Sequence, residues 1–196
     1  MRLGRQIIEW KEFWKIAEIG EIARRYFAMN SFDDVLMVLG ILLAGFFGGI
    51  RERRVIITAA IGATIAATIS GFWGAYLTET SERDSKIKSL ERKVAVNLKK
   101  SPIGKAHRFA ALVLPVVNSG ADLLISLLII SPFMIEGLPI MRAYFSSILL
   151  AFIALFMLGL FLGRINREKA WKSGVKMVIT GIVCAIIIFL VNNFIK

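Results

Sequence analysis

Two consecutive aspartates, Asp33 and Asp34, stand at the start of an apolar run in this 196-residue chain. Met37 follows one helical turn after Asp33, so a carboxylate and a thioether share a face of a helix. Carboxylates favour hard cations and thioethers softer ones, so together they suit a borderline divalent ion such as Fe²⁺, with Mn²⁺ next. The alternative is that Asp33 caps the helix, since Asp is a favoured N-cap residue. A cap needs one aspartate, and the presence of two favours the cation site.

A third acid, Asp122, lies in the middle of another apolar run, residues 109–133. Asn118 lies one helical turn before it and Ser126 one turn after it, so the three side chains form a polar stripe. Pro115 removes a backbone hydrogen bond and can leave a carbonyl facing this stripe. Ionisable groups at membrane depth are costly, and this one suits ion coordination or proton relay. The alternative is a hydrogen-bonded brace between helices.

A further group of acids follows the second apolar run, in sequence that is also rich in Lys and Arg. Its members are Glu79, Glu82, Asp84 and Glu91. They are candidates for collecting metal ions at the cytoplasmic surface. A run of mixed charge is more often a solvated helix face, and the interspersed basic residues favour that alternative.

Enzyme motifs are missing from the sequence, which indicates a protein that is not an enzyme. There is no HExxH, GxSxG or Gly-rich phosphate loop, and His107 is the single histidine. Cys184 is the single cysteine, so no disulfide can form within the chain. We expect no tightly bound cofactor.

Five apolar runs are long enough, or nearly so, to cross a bilayer, which takes about 20 helical residues. They are residues 33–50, 55–77, 109–133, 139–162 and 175–194. Residues 1–30 alternate aromatic and aliphatic side chains with charges and predict an amphipathic helix, either in the lipid headgroups or docked on the bundle. The expected fold is therefore all-α and polytopic, with five transmembrane helices after an N-terminal amphipathic helix.

Charge decides the orientation of these spans. The net charge of +11 would suggest nucleic acid in a soluble protein, but 57% of the residues are hydrophobic and the charges lie between apolar runs. Twenty of the 25 Lys and Arg residues fall on one side, in the N-terminal segment and the second and fourth loops. The positive-inside rule then places the N-terminus in the cytoplasm and the C-terminus outside, and no nucleic-acid partner is expected.

The domain organisation follows from these spans. Residues 1–30 form the cytoplasmic amphipathic helix, 31–78 the first two transmembrane helices, 79–108 a short charged cytoplasmic stalk, and 109–196 the last three helices. A tight turn at residues 51–54 makes a hairpin of the first two spans, and residues 101–104 break the helix before the third.

Residues 54–93 contain no helix breaker and predict one long helix that leaves the membrane as a charged stalk. Small residues recur every four positions in its span and in the first span, giving smooth flanks on which helices pack closely in lipid. The candidate packing or dimer contacts are Gly40, Ala44, Gly48, Ala63, Ala67 and Gly71. We expect the long helix to be the packing centre.

Three stretches carry a resemblance to a known family. Residues 69–85, ISGFWGAYLTETSERDS, continuing through 90–92, resemble the second helix and stalk of the vacuolar iron transporter family. Residues 33–40 resemble its Asp-Gly opening of the first helix, and residues 163–174 its link between the fourth and fifth helices. The resemblance covers roughly residues 24–196.

The resemblance implies a homodimer that moves Fe²⁺ or Mn²⁺ out of the cytoplasm in exchange for protons, with Asp33 in the ion path. It also implies the plasma membrane of a prokaryote as the location. This chain departs from the family at Asp34, where the family has Gly, and at Gly71, where it has Met. The family's acidic cytoplasmic domain is reduced here to a short basic segment in which Glu82 and Glu91 are the remaining candidate ligands.

Two functions from different classes follow. The first is a dimeric metal transporter in which Asp33 gathers the ion, Asp34 assists, Met37 tunes selectivity and Asp122 coordinates metal or relays protons. The second is a membrane scaffold or regulatory subunit that transports nothing. An intramembrane lipid enzyme is disfavoured because a catalytic set of residues is missing.

Overall fold

The computed structural model describes residue 14, residues 19–98 and residues 101–195. The helices in these ranges are α1 (Ile19–Phe47), α2 (Arg53–Val94), α3 (Pro102–Met134), α4 (Ile140–Ile165) and α5 (Ala170–Ile195). Each is long and apolar enough to cross a membrane. The predicted all-α polytopic fold with five spans is confirmed.

Helix boundaries agree with the sequence for α2 and differ for α1. The 42-residue helix α2 spans the stretch predicted to be continuous. The helix α1 passes without a break through residue 30, so the domain boundary predicted there falls inside a continuous helix. Apart from Trp14 and residues 19–30, the predicted amphipathic helix lies outside the described residues.

The expectation that α2 is the packing centre is wrong for the single chain. In the most apolar segment of α1, and likewise of α3, 44% is buried. The corresponding share in α2 is only 17%. One row of small residues on α2 is exposed to the surroundings: Gly62, Ala66, Ser70 and Gly74. Large apolar residues of the same helix, among them Ile65, Ile69 and Trp73, are exposed as well.

The chain divides into two compact units. Within the described residues, the first comprises 19–27 and 69–120, and the second comprises 28–68 and 121–195. Segments of α1, α2 and α3 contribute to both. The core of the first unit is a small apolar cluster of Ile19, Ala23, Ala106, Ala110 and Leu114.

Aromatic and backbone contacts close one end of the second unit. The ring of Tyr144 on α4 packs edge-on against Phe133, with ring centroids 5.0 Å apart, and its hydroxyl donates to the Ile50 carbonyl at 2.9 Å. Arg53 donates to the Ile135 carbonyl at 2.7 Å. Arg53 thus satisfies carbonyls left free at the C-terminal end of α3, where a positive charge is favourable. This contact gives a structural reason for a basic residue on the side predicted to have few of them.

The connections differ by a few residues from the predicted turns. After α1, the Ile50 amide donates to the Gly45 carbonyl at 2.9 Å, and Gly49 takes a φ of +72°, a conformation that favours glycine. The break predicted at residues 101–104 lies earlier, because α3 already begins at Pro102. Proline suits the first position of a helix, and the Ser101 hydroxyl caps it by accepting from the Gly104 amide at 3.2 Å.

Candidate cation-binding site

A buried carboxylate of α1 meets a buried hydroxyl of α3 in the second unit. Asp34 is only 4% exposed, and its Oδ2 accepts a hydrogen bond of 2.5 Å from the hydroxyl of Ser126. The two residues are 92 positions apart in the chain. Packing therefore places Ser126, one member of the predicted polar stripe, against the aspartate at the start of the first apolar run.

The second buried carboxylate is that of Asp122, one helical turn before Ser126. It is also 4% exposed, and its Oδ1 has no hydrogen-bond partner among the described residues. A buried polar atom without a partner costs about 1–3 kcal/mol, and more when it is charged. Such an atom in a folded protein indicates a position that a ligand, ion or water can satisfy.

Two hydroxyls extend this polar region. Ser31, one turn before Asp34 on α1, is fully buried, and Thr64 on α2 is 2% exposed. Neither hydroxyl has a hydrogen-bond partner within the described ranges. Thr64 and Ser126 both line a cavity of about 20 Å³ with apolar neighbours, which is room for about one water molecule.

Asp33 occupies a different environment from its neighbour. Successive residues of a helix point about 100° apart, so Asp33 is exposed where Asp34 is buried. Its carboxylate still interacts electrostatically with those of Asp34 and Asp122. When these carboxyl groups are ionised, their negative charges repel, and a bound cation would offset that repulsion. Met37 is half-buried on the same helix.

The acids do not form a complete metal cage. In the part of the chain that the structure describes, no three His, Cys, Asp or Glu side chains are placed to hold a metal ion together. Asn118, the remaining member of the predicted set, belongs to the first unit. It is fully buried, and its side-chain amide has no partner among the described residues.

Two of the predicted metal-loading acids, Glu79 and Glu91, bind other groups of the same chain. Glu79 is buried, accepts from the Tyr26 hydroxyl at 3.0 Å and forms an ion pair of 2.7 Å with Arg83. Both carboxylate oxygens of Glu79 are thus occupied, which argues against a loading role. Glu91 accepts from the Leu98 amide at 2.8 Å, just after α2 ends, and Glu82 is solvent-exposed.

The predicted packing residues are spread over several environments. Gly40 is half-buried, and a β-carbon there would lie 3.7 Å from Ile188 of α5, so this position faces a helix of the same chain. The other five are half-buried (Ala63, Ala67 and Gly71) or exposed (Ala44 and Gly48). At Gly45, a glycine that the spacing did not single out, an added β-carbon would clash with the side chain of Ile56 on α2.

These features indicate an integral membrane protein whose described residues form five apolar helices and bury two aspartates. Among known proteins, it is similar to the uncharacterized protein MJ0645 of Methanocaldococcus jannaschii, with 32% identity over 178 residues. That match covers 89% of this chain and 91% of the relative. The chain therefore belongs to the same family as the Methanocaldococcus protein. No family model matches the chain.

Proposed function

We propose that this protein is a divalent-metal transporter that exports Fe²⁺ or Mn²⁺ from the cytoplasm in exchange for protons. The observation that carries the proposal is the buried pair Asp34 and Asp122, in which one oxygen of Asp122 has no protein partner among the described residues. Acidic side chains retained at membrane depth are costly and mark ion or proton pathways. The resemblance to the vacuolar iron transporter family supports the same function.

An incomplete cage is compatible with transport. An ion that must enter and leave a site is served by binding that is favourable but weak. Asp34 and Asp122 supply two hard oxygen ligands, and the Ser126 hydroxyl lies beside them. Water, or a second copy of the chain in the proposed homodimer, would complete the coordination. Protons and metal ions compete for the same carboxylates, which would couple their movements in opposite directions.

Metal flux into proteoliposomes tests this proposal. We expect wild-type protein to carry Fe²⁺ or Mn²⁺ down an imposed gradient and to move protons the other way, as reported by a trapped pH indicator. Asp34→Asn and Asp122→Asn keep the side-chain shape but remove the charge, and each should lower the flux by at least about tenfold. Asp33→Ala should have a smaller effect, because Asp33 is exposed.

The matched control is Glu136→Gln, which removes an exposed carboxylate in the connection between α3 and α4. Its flux should equal that of the wild type. Wild-type flux in both buried-aspartate variants would overturn the proposal.

A non-transporting scaffold or regulatory subunit is the second candidate. It is favoured by the observation that no three metal-ligating side chains cluster in the described ranges. A ligand that binds only the folded state raises its stability. Fe²⁺ and Mn²⁺ should therefore raise the melting temperature of a transporter in detergent and leave that of a scaffold unchanged.

A further inference from the structure

A polar network joins three helices inside the first unit. On α2, Arg83 donates through Nε to Glu79 at 2.7 Å, and Glu79 accepts from the Tyr26 hydroxyl of α1 at 3.0 Å. A guanidinium nitrogen of Arg83 lies 3.4 Å from Nδ1 of His107 on α3. Arg83 is 5% exposed and Glu79 is 4% exposed, so the ion pair at the centre of the network is buried.

The contact between Arg83 and His107 requires a neutral imidazole. A guanidinium has donors and no acceptor, and it stays charged at all physiological pH values. Nδ1 of His107 must then accept, which leaves the proton of the neutral ring on Nε2. If Nδ1 gained a proton, an N–H of His107 would face an N–H of Arg83, and the positively charged imidazolium would repel the guanidinium.

The surroundings of His107 also disfavour its charged form. From α2, Arg83 and Lys86 act on the ring with positive charge and Glu79 with negative charge. Asp84 of α2 and Arg108 of α3 line the same cleft as His107, and from α1 Tyr26 joins the network through Glu79. His107 precedes the apolar run that begins at residue 109 and so lies outside the spanning segment. Burial, with Arg83 and Lys86 adding to it, lowers the pKa of His107 below its ordinary value of 6.5.

Protons can reach the ring. His107 is only half-buried. The cleft beside it has a volume of about 30 Å³ and is also lined by Thr80 and Arg83. That volume holds about one water molecule, which is enough to deliver a proton and too little for a larger ligand.

We propose that His107 is a pH-sensitive switch that fastens α3 to α2 while it is neutral and releases it when it is protonated. Release removes a partner from Arg83, whose other partner is the carboxylate that also accepts from α1. Acidification therefore loosens the three helix segments of this unit together. The switch does not depend on whether the protein transports a metal.

The sign of the pH dependence follows from linkage. A histidine whose pKa is lower in the folded state contributes stability that is complete above its unfolded pKa, about 6.5. That contribution is lost as the pH falls from there to the folded pKa. Across this interval, opening of the segment becomes more favourable by up to about tenfold per pH unit.

Hydrogen exchange of the full-length protein in detergent, measured from about pH 8 to about pH 5, tests the switch across the range in which histidine titrates. Protection factors for residues 102–111 should fall below pH 6.5 in the wild type, after correction for the intrinsic exchange rate. His107→Asn keeps a neutral acceptor near the position of Nδ1 and should abolish that fall. Asp84→Asn, which removes another titratable group from the same cleft, should respond like the wild type.

If His107→Asn does not fold, the titration of the wild-type imidazole still tests the proposal directly. The chain has one histidine, so ¹⁵N-labelled imidazole in protein carrying a histidine-free tag gives one unambiguous set of signals. The proposal expects the neutral tautomer with the proton on Nε2 and a titration midpoint below 6.5. A midpoint at or above 6.5, or an acid-induced loss of protection that persists in His107→Asn, would overturn it.

Discussion

At the scale of single residues, the buried ion pair between Glu79 and Arg83 shows how burial changes the meaning of a charge. Sequence alone favoured a solvated role for Glu79, because basic residues surround it. The structure instead buries it with Arg83 at 2.7 Å and adds the Tyr26 hydroxyl. A buried charge that loses its partner is far more costly than an exposed one.

Glu79→Gln should therefore destabilise the protein by about 3–5 kcal/mol, because it leaves the Arg83 guanidinium buried without a counter-charge. The measurement is equilibrium unfolding in mixed detergent. The control is Glu168→Gln, which breaks an exposed ion pair with Lys176, 3.9 Å long. Such pairs contribute about 0–1 kcal/mol. Similar losses of unfolding free energy in Glu79→Gln and Glu168→Gln would contradict the burial of the Glu79–Arg83 ion pair.

The candidate site shows how far residue types carry a prediction. Asp33, Asp34 and Asp122 were predicted together, with Asp33 as the principal ligand, because acids at membrane depth are costly. Which of the two neighbouring aspartates is buried depended on the face that α1 turns toward α3. The network of Tyr26 and His107 was missed, because these side chains lie 53 and 24 residues from their partners. The one available signal was the spacing of Glu79 and Arg83, four residues apart at the end of an apolar run.

At the scale of helices, close approach between α4 and α5 depends on glycine. A β-carbon at Gly159 would lie 2.5 Å from Cα of Gly174 and 2.6 Å from the Ser173 carbonyl oxygen. Both are backbone atoms, so no side-chain rotation can make room. Small residues give helices in lipid their closest packing, and this pair of helices uses them.

Gly159→Ala should lower stability by about 1–3 kcal/mol, the usual range for overpacking a close contact. Thermal unfolding in detergent measures the loss. At Gly120 on α3 a β-carbon would have no heavy atom within 4 Å. Gly120→Ala should accordingly be neutral or slightly stabilising, since alanine is the better helix former by about 1 kcal/mol. A loss at Gly120 as large as at Gly159 would refute the packing argument.

At the scale of the whole molecule, the five-helix architecture is a structural result and the orientation remains a prediction from charge. The connection between α3 and α4 should face outward, and that between α4 and α5 the cytoplasm. Arg53 is one of the five basic residues that the charge count places outside, and it has a structural role at the end of α3. Because its contact with α3 explains its position, Arg53 is weak evidence against the predicted orientation.

Cysteine labelling in intact cells tests this orientation. In a Cys184→Ala background, which removes the single native cysteine, Glu136→Cys should react with a membrane-impermeant maleimide. Glu168→Cys should react only after the cells are opened. Both positions are exposed, so accessibility within the fold is matched. The reverse pattern would invert the proposed direction of transport.

The spans, the long uninterrupted helix α2 and the candidate acids could be predicted from the sequence, since hydropathy, helix breakers and the cost of a buried charge are local properties of the chain. The packing of the helices sets which of them are buried, which aspartate faces inward and which side chains pair across distant segments. Those outcomes depend on how each helix is rotated about its axis. That rotation is set by the shapes of all the faces packed together, and no single stretch of sequence contains it.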